Sequence, residues 1–213
     1  MKFSKGAYWS ALIIFLILLI DQVSKFWIKT NMSLYESKEI TSWFYIYFTE
    51  NPGMAFGWEI FDKVFLTLFR LVASGFILYY LISLIKQQYR VGYIICVSLI
   101  FAGAVGNIID CLFYGAFFEE STPYQVAAFL PEGGGYAPLL RGKVVDMLYF
   151  PLIKSTWPSW VPFYGGESFI FFRPIFNIAD SAISVGIAVL LLFYRNDLSS
   201  SLEKKEKTDE TDE

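Results

Sequence analysis

The chain has 213 residues, 55% of them apolar and 20% aromatic, with a net charge of −3 and no histidine. That apolar load exceeds what a soluble domain of this size hides from water, and a near-neutral charge without a basic stripe argues against nucleic acid as a partner. Without histidine, Ser-His-Asp and Cys-His catalysis and histidine-ligated zinc are excluded, which leaves carboxylates for proton chemistry.

A membrane-crossing helix needs about 20 mostly apolar residues. Four stretches meet this requirement, at about 8–28, 64–85, 91–113 and 174–194. The first continues into Asp21-Gln22-Val23-Ser24-Lys25 rather than a small-residue cleavage site, so it reads as a retained helix and not a removed signal peptide. After it, the segment 29–63 is rich in Trp, Tyr, Phe, Ile and Thr, with partial alternation at 43–48, which suits short strands at a membrane surface. The third stretch carries Cys96 and Cys111. Along one helix they lie roughly 22 Å apart, too far for a disulfide. The segment 114–173 holds Gly133 to Gly135, several prolines, and Trp157 and Trp160, aromatics suited to the headgroup level. Pro174 is well placed to open the fourth helix. From Asn196 onward the chain is polar, serine-rich and acidic, so 196–213 is expected to be a disordered tail behind one membrane-embedded domain, 1–195. No internal repeat is visible, so a transporter built from inverted repeats gains no support.

Basic residues set the direction. Lys2 and Lys5, Lys86 and Arg90, Arg195, and Lys204, Lys205 and Lys207 all fall on one side if four helices alternate. Both termini are then expected in the cytoplasm, with 29–63 and 114–173 facing outward.

Polar side chains within the spans are costly and need a reason. Asp21 and Lys25 are four apart near the outer end of the first span, spaced as an ion pair on one helical face. Asn107 and Asp110 share a face of the third span with Gly103 and Gly106, where small residues allow close helix approach and the polar pair serves as helix glue or as part of a site. Asn177 and Asp180 are again three apart, with Asp180 roughly 9 Å along the helix from Pro174. Arg173 just before them is suited to snorkelling. Asp146 ends Gly142-Lys143-Val144-Val145-Asp146 and taken alone reads as a solvated loop acid. Paired with Asp180 it gains a role. Two close carboxylates titrate apart, so one acts as base toward water while the other, protonated, polarises a carbonyl. Residue order alone does not bring the two together.

The motifs form an ordered set: Asp21-Gln22-x-x-Lys25, Asn51-Pro52-Gly53-Met54-Ala55-Phe56, Gly103-x-x-Gly106-Asn107-x-x-Asp110, Gly142-x-Val144-Val145-Asp146, and Phe176-Asn177-x-Ala179-Asp180-Ser181. Together they resemble lipoprotein signal peptidase, the type II signal peptidase of bacteria, over about residues 8 to 195. Each motif is weak alone, and five in order on a four-span pattern are specific.

The resemblance implies an all-α membrane protein of four transmembrane helices with a small outer-surface β-cradle, here carrying an inserted outer loop. It implies catalytic aspartates at Asp146 and Asp180, with Asp21, Lys25, Asn51, Gly53, Asn107, Asp110, Asn177 and Ala179 binding substrate or supporting the site. It implies an aspartic endopeptidase of the inner membrane that cuts diacylglyceryl-modified prolipoproteins before the lipidated cysteine, on the periplasmic face. The expected partners are these substrates and membrane lipid, with no nucleic acid, no cofactor and no metal, and the chain is expected to act as a monomer.

Two features depart from the family pattern. Cys111 stands where the family usually has arginine, for which Arg141 is a candidate replacement. The Asp110 and Gly142 motifs, normally close in the chain, are separated by an insertion at about 115–141. The competing readings are a small transporter, which predicts carboxylates near the bilayer midplane, and a structural membrane protein, which gives Asp146 no role.

Overall fold

The computed structural model describes residues 4–52 and 62–209. Gly53, with Met54, Ala55 and Phe56 of the same motif, lies outside the described residues. The chain divides into two compact units, Met1–Gln22 with Ile60–Ile109 and Ile178–Glu213, and Val23–Glu59 with Asp110–Asn177.

The first unit is helical. Its elements are α1 (Lys5–Asn31, as far as Gln22), α2 (Lys63–Lys86), α3 (Val91–Ile109), α5 (Ile178–Phe193) and α6 (Arg195–Asp209). Asp62 caps α2 by accepting the Val64 N–H at 2.7 Å, which satisfies one of the first-turn donors. On α1 and α2 large apolar side chains such as Phe15, Phe69 and Phe76 face outward, as lipid-facing surfaces require. α3 is the buried helix, and Tyr93, Ile94, Cys96 and Val97 pack with Leu81, Leu84 and Leu190 into the core. It meets α5 backbone to backbone. A Cβ on Gly103 would lie 2.2 Å from the Ala179 carbonyl oxygen, and one on Gly186 would lie 2.8 Å from that of Cys96. This is the close approach that small residues permit between membrane helices.

Among the described residues three helical runs are long and apolar enough to cross a membrane: Lys5–Asn31, Lys63–Lys86 and Val91–Phe117. A fourth arises only if α5 and the first residues of α6, which meet at 87°, count as one span. The helix expected over 174–194 is therefore shorter than its hydropathy suggested. Ile175–Phe176 forms a strand against Tyr149 and Leu148, and the helix begins at Ile178.

The polar segment after α5 begins with α6. Ser201 Oγ lies 2.5 Å from the Tyr80 hydroxyl and 3.2 Å from that of Tyr93, and Arg90 lies 3.3 Å from Asp197. These contacts hold a segment whose polar composition gave no sign of them.

The second unit carries the rest of α1, a π-helical turn (Asp110–Tyr114), the short α4 (Gly115–Phe117) and the strands found among the described residues. β1 (Ser37–Thr41), β2 (Phe44–Asn51), β3 (Val144–Tyr149) and β6 (Ile175–Phe176) form one antiparallel sheet in the order β1-β2-β3-β6. β4 (Ile153–Thr156) and β5 (Ser168–Phe171) form a separate hairpin. Residues 44–48 of the aromatic run fall in β2, and Phe44 stacks on Phe150 at 4.7 Å.

The insertion is ordered by its own backbone. Wider π-type winding frees carbonyls from the helical ladder, and the returning chain satisfies them. Gly142 N–H donates to the Cys111 carbonyl at 2.9 Å, Leu140 to Leu112 at 3.1 Å, and Ala137 to Gly115 at 2.9 Å. The Gly142 motif thus comes back against Asp110, although 31 residues separate the two between Asp110 and Gly142. A Cβ at Gly142 would lie 1.9 Å from the Asp110 carbonyl oxygen, so only glycine fits there.

Candidate active site

In the second unit the candidate residues gather around the first half of β3. Asp110 is fully buried, and its Oδ2 accepts the Val145 N–H at 3.1 Å and faces Lys25 Nζ at 2.9 Å. Lys25 is equally buried, so each charge is matched as a buried ion requires. Asp146, only 5% exposed, accepts the Asn177 side-chain amide on Oδ1 at 2.7 Å. The same nitrogen reaches the Val145 carbonyl at 3.2 Å. Asn177 thereby ties side chain and backbone of adjacent β3 residues to one point. In the ladder Asp146 stands opposite Thr49, and Val144 opposite Asn51, which is exposed.

In the first unit the N-terminus of α5 is the focus. Asp21 Oδ1 accepts the Ala179 N–H at 2.9 Å, so a carboxylate from α1 caps α5, where orphan amides and the helix dipole favour negative charge. Gln22 Nε2 bridges Asp21 Oδ2 and the Gly106 carbonyl, at 3.0 and 3.1 Å. A Cβ on Gly106 would meet Asp21 Oδ2 at 2.8 Å and the Ala179 methyl at 3.1 Å, which explains why both positions are small. Asp180, in the first turn of α5, accepts the Asn107 amide on Oδ1 at 2.7 Å.

The two asparagines therefore do the same work in separate units, each presenting an amide N–H to an aspartate. An amide so placed fixes the carboxylate rotamer. Lys25 supplies a cation at Asp110. Three residues that residue patterns did not single out also belong to this region: Lys29, Glu50 and Ser121, with a Lys29–Glu50 ion pair and Lys29 Nζ donating to Ser121 Oγ at 2.7 Å. The available signals were slight. Lys29 follows Lys25 by four residues, on one face of α1, and Glu50 directly precedes Asn51.

Apolar spans together with amide-held carboxylates suit a membrane enzyme, and comparison with known proteins specifies the kind. Residues 13–195 match the family model described as signal peptidase (SPase) II. A Porphyromonas gingivalis protein named lipoprotein signal peptidase is 50% identical over 96% of this chain and 90% of its own length. One of the same name from Amoebophilus asiaticus is 37% identical over 92% of this chain and 82% of its own. A solved structure described as "Bacterial membrane enzyme structure by the in meso method at 2.3 A resolution" superposes with a TM-score of 0.58 at 26% identity, covering 90% of both chains. The chain belongs to the signal peptidase II family and is a peptidase.

Proposed function

We propose that the chain is an aspartic endopeptidase that removes signal peptides from diacylglyceryl-modified prolipoproteins, cutting before the lipidated cysteine, with Asp146 and Asp180 as its catalytic pair. The observation that carries the assignment is the matched holding of these two acids, each by an asparagine amide at 2.7 Å. The names of the relatives support the substrate class.

One carboxylate takes a proton from water as its oxygen attacks the scissile carbonyl. The other, protonated, donates a hydrogen bond to that carbonyl and stabilises the negative charge that forms. Collapse of the tetrahedral intermediate breaks the C–N bond, and the proton held by the base passes to the departing cysteine nitrogen. Asn177 and Asn107 hold the acids in place, Lys25 and Asp110 support the strand that bears Asp146, and Asp21 with Ala179 secures the helix that bears Asp180. Asn51 and Gly53 contribute to substrate binding.

The reading also takes the chain as four-spanning, with both termini cytoplasmic and the small sheet as a cradle at the periplasmic face of the inner membrane. A signal peptide runs outward from the cytoplasm, so its cleavage point falls at that face. The test is incubation of the purified protein with a diacylated prolipoprotein, followed by mass measurement. A product beginning at the lipidated cysteine is expected, and intact substrate under all conditions refutes the assignment.

A further inference from the structure

Three segments of the second unit converge on the carboxylate of Glu50, whose side chain is 3% exposed. Oε1 is paired with Lys29 from α1 and accepts the Ser121 hydroxyl at 2.9 Å from the insertion. Lys143, which leads into β3, places Nζ 3.7 Å from Oε2, beyond hydrogen-bond reach, and Oε2 has no hydrogen-bond partner among the described residues. Lys143 continues to Glu120 at 3.1 Å, and the ammonium groups of Lys29 and Lys143 lie 5.1 and 5.3 Å from the centre of the Tyr136 ring.

Stability is a poor account of this cluster, because a buried ion pair is often no better than apolar residues of the same volume. Strand register is a better one. Tyr45 and Ile46 of β2 pair with Tyr149 and Leu148, but the register shifts between Ile46 and Thr49. Pairing of the first half of β2 therefore does not dictate that of the second half, where Thr49 faces Asp146, Glu50 faces Val145 and Asn51 faces Val144. A slip of one residue there would turn every side chain to the opposite face. Beyond the irregularity, Glu50 is held from three other directions.

We infer that Glu50 is a positioning residue for peptide cleavage: held by Lys29, Ser121 and Lys143, it sets the β2–β3 register that aims Asp146 and ties the insertion to that register. The inference rests on the reading of Asp146 as catalytic. Glu50 touches no reacting atom, and its effect passes through the strand.

The test uses the full chain in detergent with a diacylated prolipoprotein, comparing Glu50→Gln, Ser121→Ala, Ser121→Thr and Asp146→Asn. Glu50→Gln is expected to lower kcat on the order of tenfold while KM stays within about twofold, since misaiming a reacting group costs turnover rather than binding. Ser121→Ala is expected to lower kcat on the order of threefold for the same reason, and Ser121→Thr, which keeps the hydroxyl, to restore it. Parent kcat in Glu50→Gln beside an inactive Asp146→Asn overturns the inference and leaves the catalytic reading standing. A loss carried by KM alone also overturns it. An active Asp146→Asn overturns both. If Glu50→Gln does not fold, the Ser121 pair decides, and equal kcat in its two variants and the parent rejects the role.

Discussion

Asn177 holds Asp146: its amide donates to Oδ1 at 2.7 Å and to the Val145 carbonyl at 3.2 Å. The contact locks the aspartate to its own strand, because the same nitrogen grips the peptide just before it. Asn107 gives Asp180 the matching amide at 2.7 Å. Supports of this kind are expected where an acid must keep one orientation through a reaction.

The first prediction concerns the acids themselves. Asp146→Asn and Asp180→Asn are each expected to reduce cleavage by roughly 10²–10⁴-fold, the contribution of a positioned acid or base. Membrane insertion and folding should persist, since Asn is isosteric and polar. Product mass after incubation with a diacylated prolipoprotein reports the loss, and ordinary turnover by either purified variant rejects its catalytic role.

The second concerns the supports. Asn177→Leu strips Asp146 and the Val145 carbonyl of one donor in a buried setting, at a cost of about 1–3 kcal/mol. Melting temperature should fall and kcat should drop, by less than in the aspartate variants. Asn107→Leu should lower kcat too, through Asp180, with a smaller change in melting temperature because Asn107 and Asp180 are only partly buried. Equal kcat in parent and both variants would contradict the supporting role.

Hydropathy and residue order revealed much of this. The first three spans, the strand at 43–48 and the five motifs all follow from local composition and spacing, because periodicity and turn chemistry are local properties. What stayed hidden depends on residues far apart in the chain. The π-helical turn at Asp110 becomes intelligible only when Gly142 returns to donate to Cys111. Ser121 meets Lys29 across 92 residues, and Ser201 meets Tyr80 across 121, so no window of sequence contains either pair. The β6 strand consumed the start of the fourth apolar stretch, since Ile175 and Phe176 suit a strand and a membrane helix equally well.

Gly142 gives a third prediction. Gly142→Ala would force a methyl group to 1.9 Å from the Asp110 carbonyl oxygen and 3.0 Å from the Gly115 nitrogen, both backbone atoms that cannot swing aside. The expected loss is about 1–3 kcal/mol or more, as for other overpacking substitutions. Gly133→Ala, whose added methyl meets nothing within 4 Å, serves as the control and should melt like the parent. Matching thermal stability in the two variants would mean that the insertion does not return against Asp110 as described.

Metal independence is the fourth. The chain has no histidine, and the proposed chemistry needs only two carboxylates and water. Cleavage should continue in excess chelator. Loss of activity in chelator with recovery on adding one particular divalent ion would contradict the aspartic mechanism.

The last prediction separates the charge at position 25 from the bulk of its side chain. Lys25 and Asp110 are both fully buried and 2.9 Å apart, and Asp110 also receives the Val145 N–H. Lys25→Met keeps most of the volume but removes the cation 2.9 Å from a buried carboxylate, which typically costs about 3–5 kcal/mol, a large share of the roughly 5–15 kcal/mol that holds a domain folded. The double variant Lys25→Met with Asp110→Asn removes both charges while keeping an acceptor for Val145. It should recover much of the lost stability, because a pair of neutral groups carries no uncompensated charge. Melting in detergent gives the two stabilities, and their difference gives the coupling. Cleavage should recover in step, since Asp110 acts on Asp146 through the Val145 peptide rather than on substrate. If the double variant proves as unstable as Lys25→Met alone, the ion pair is not what holds the start of β3.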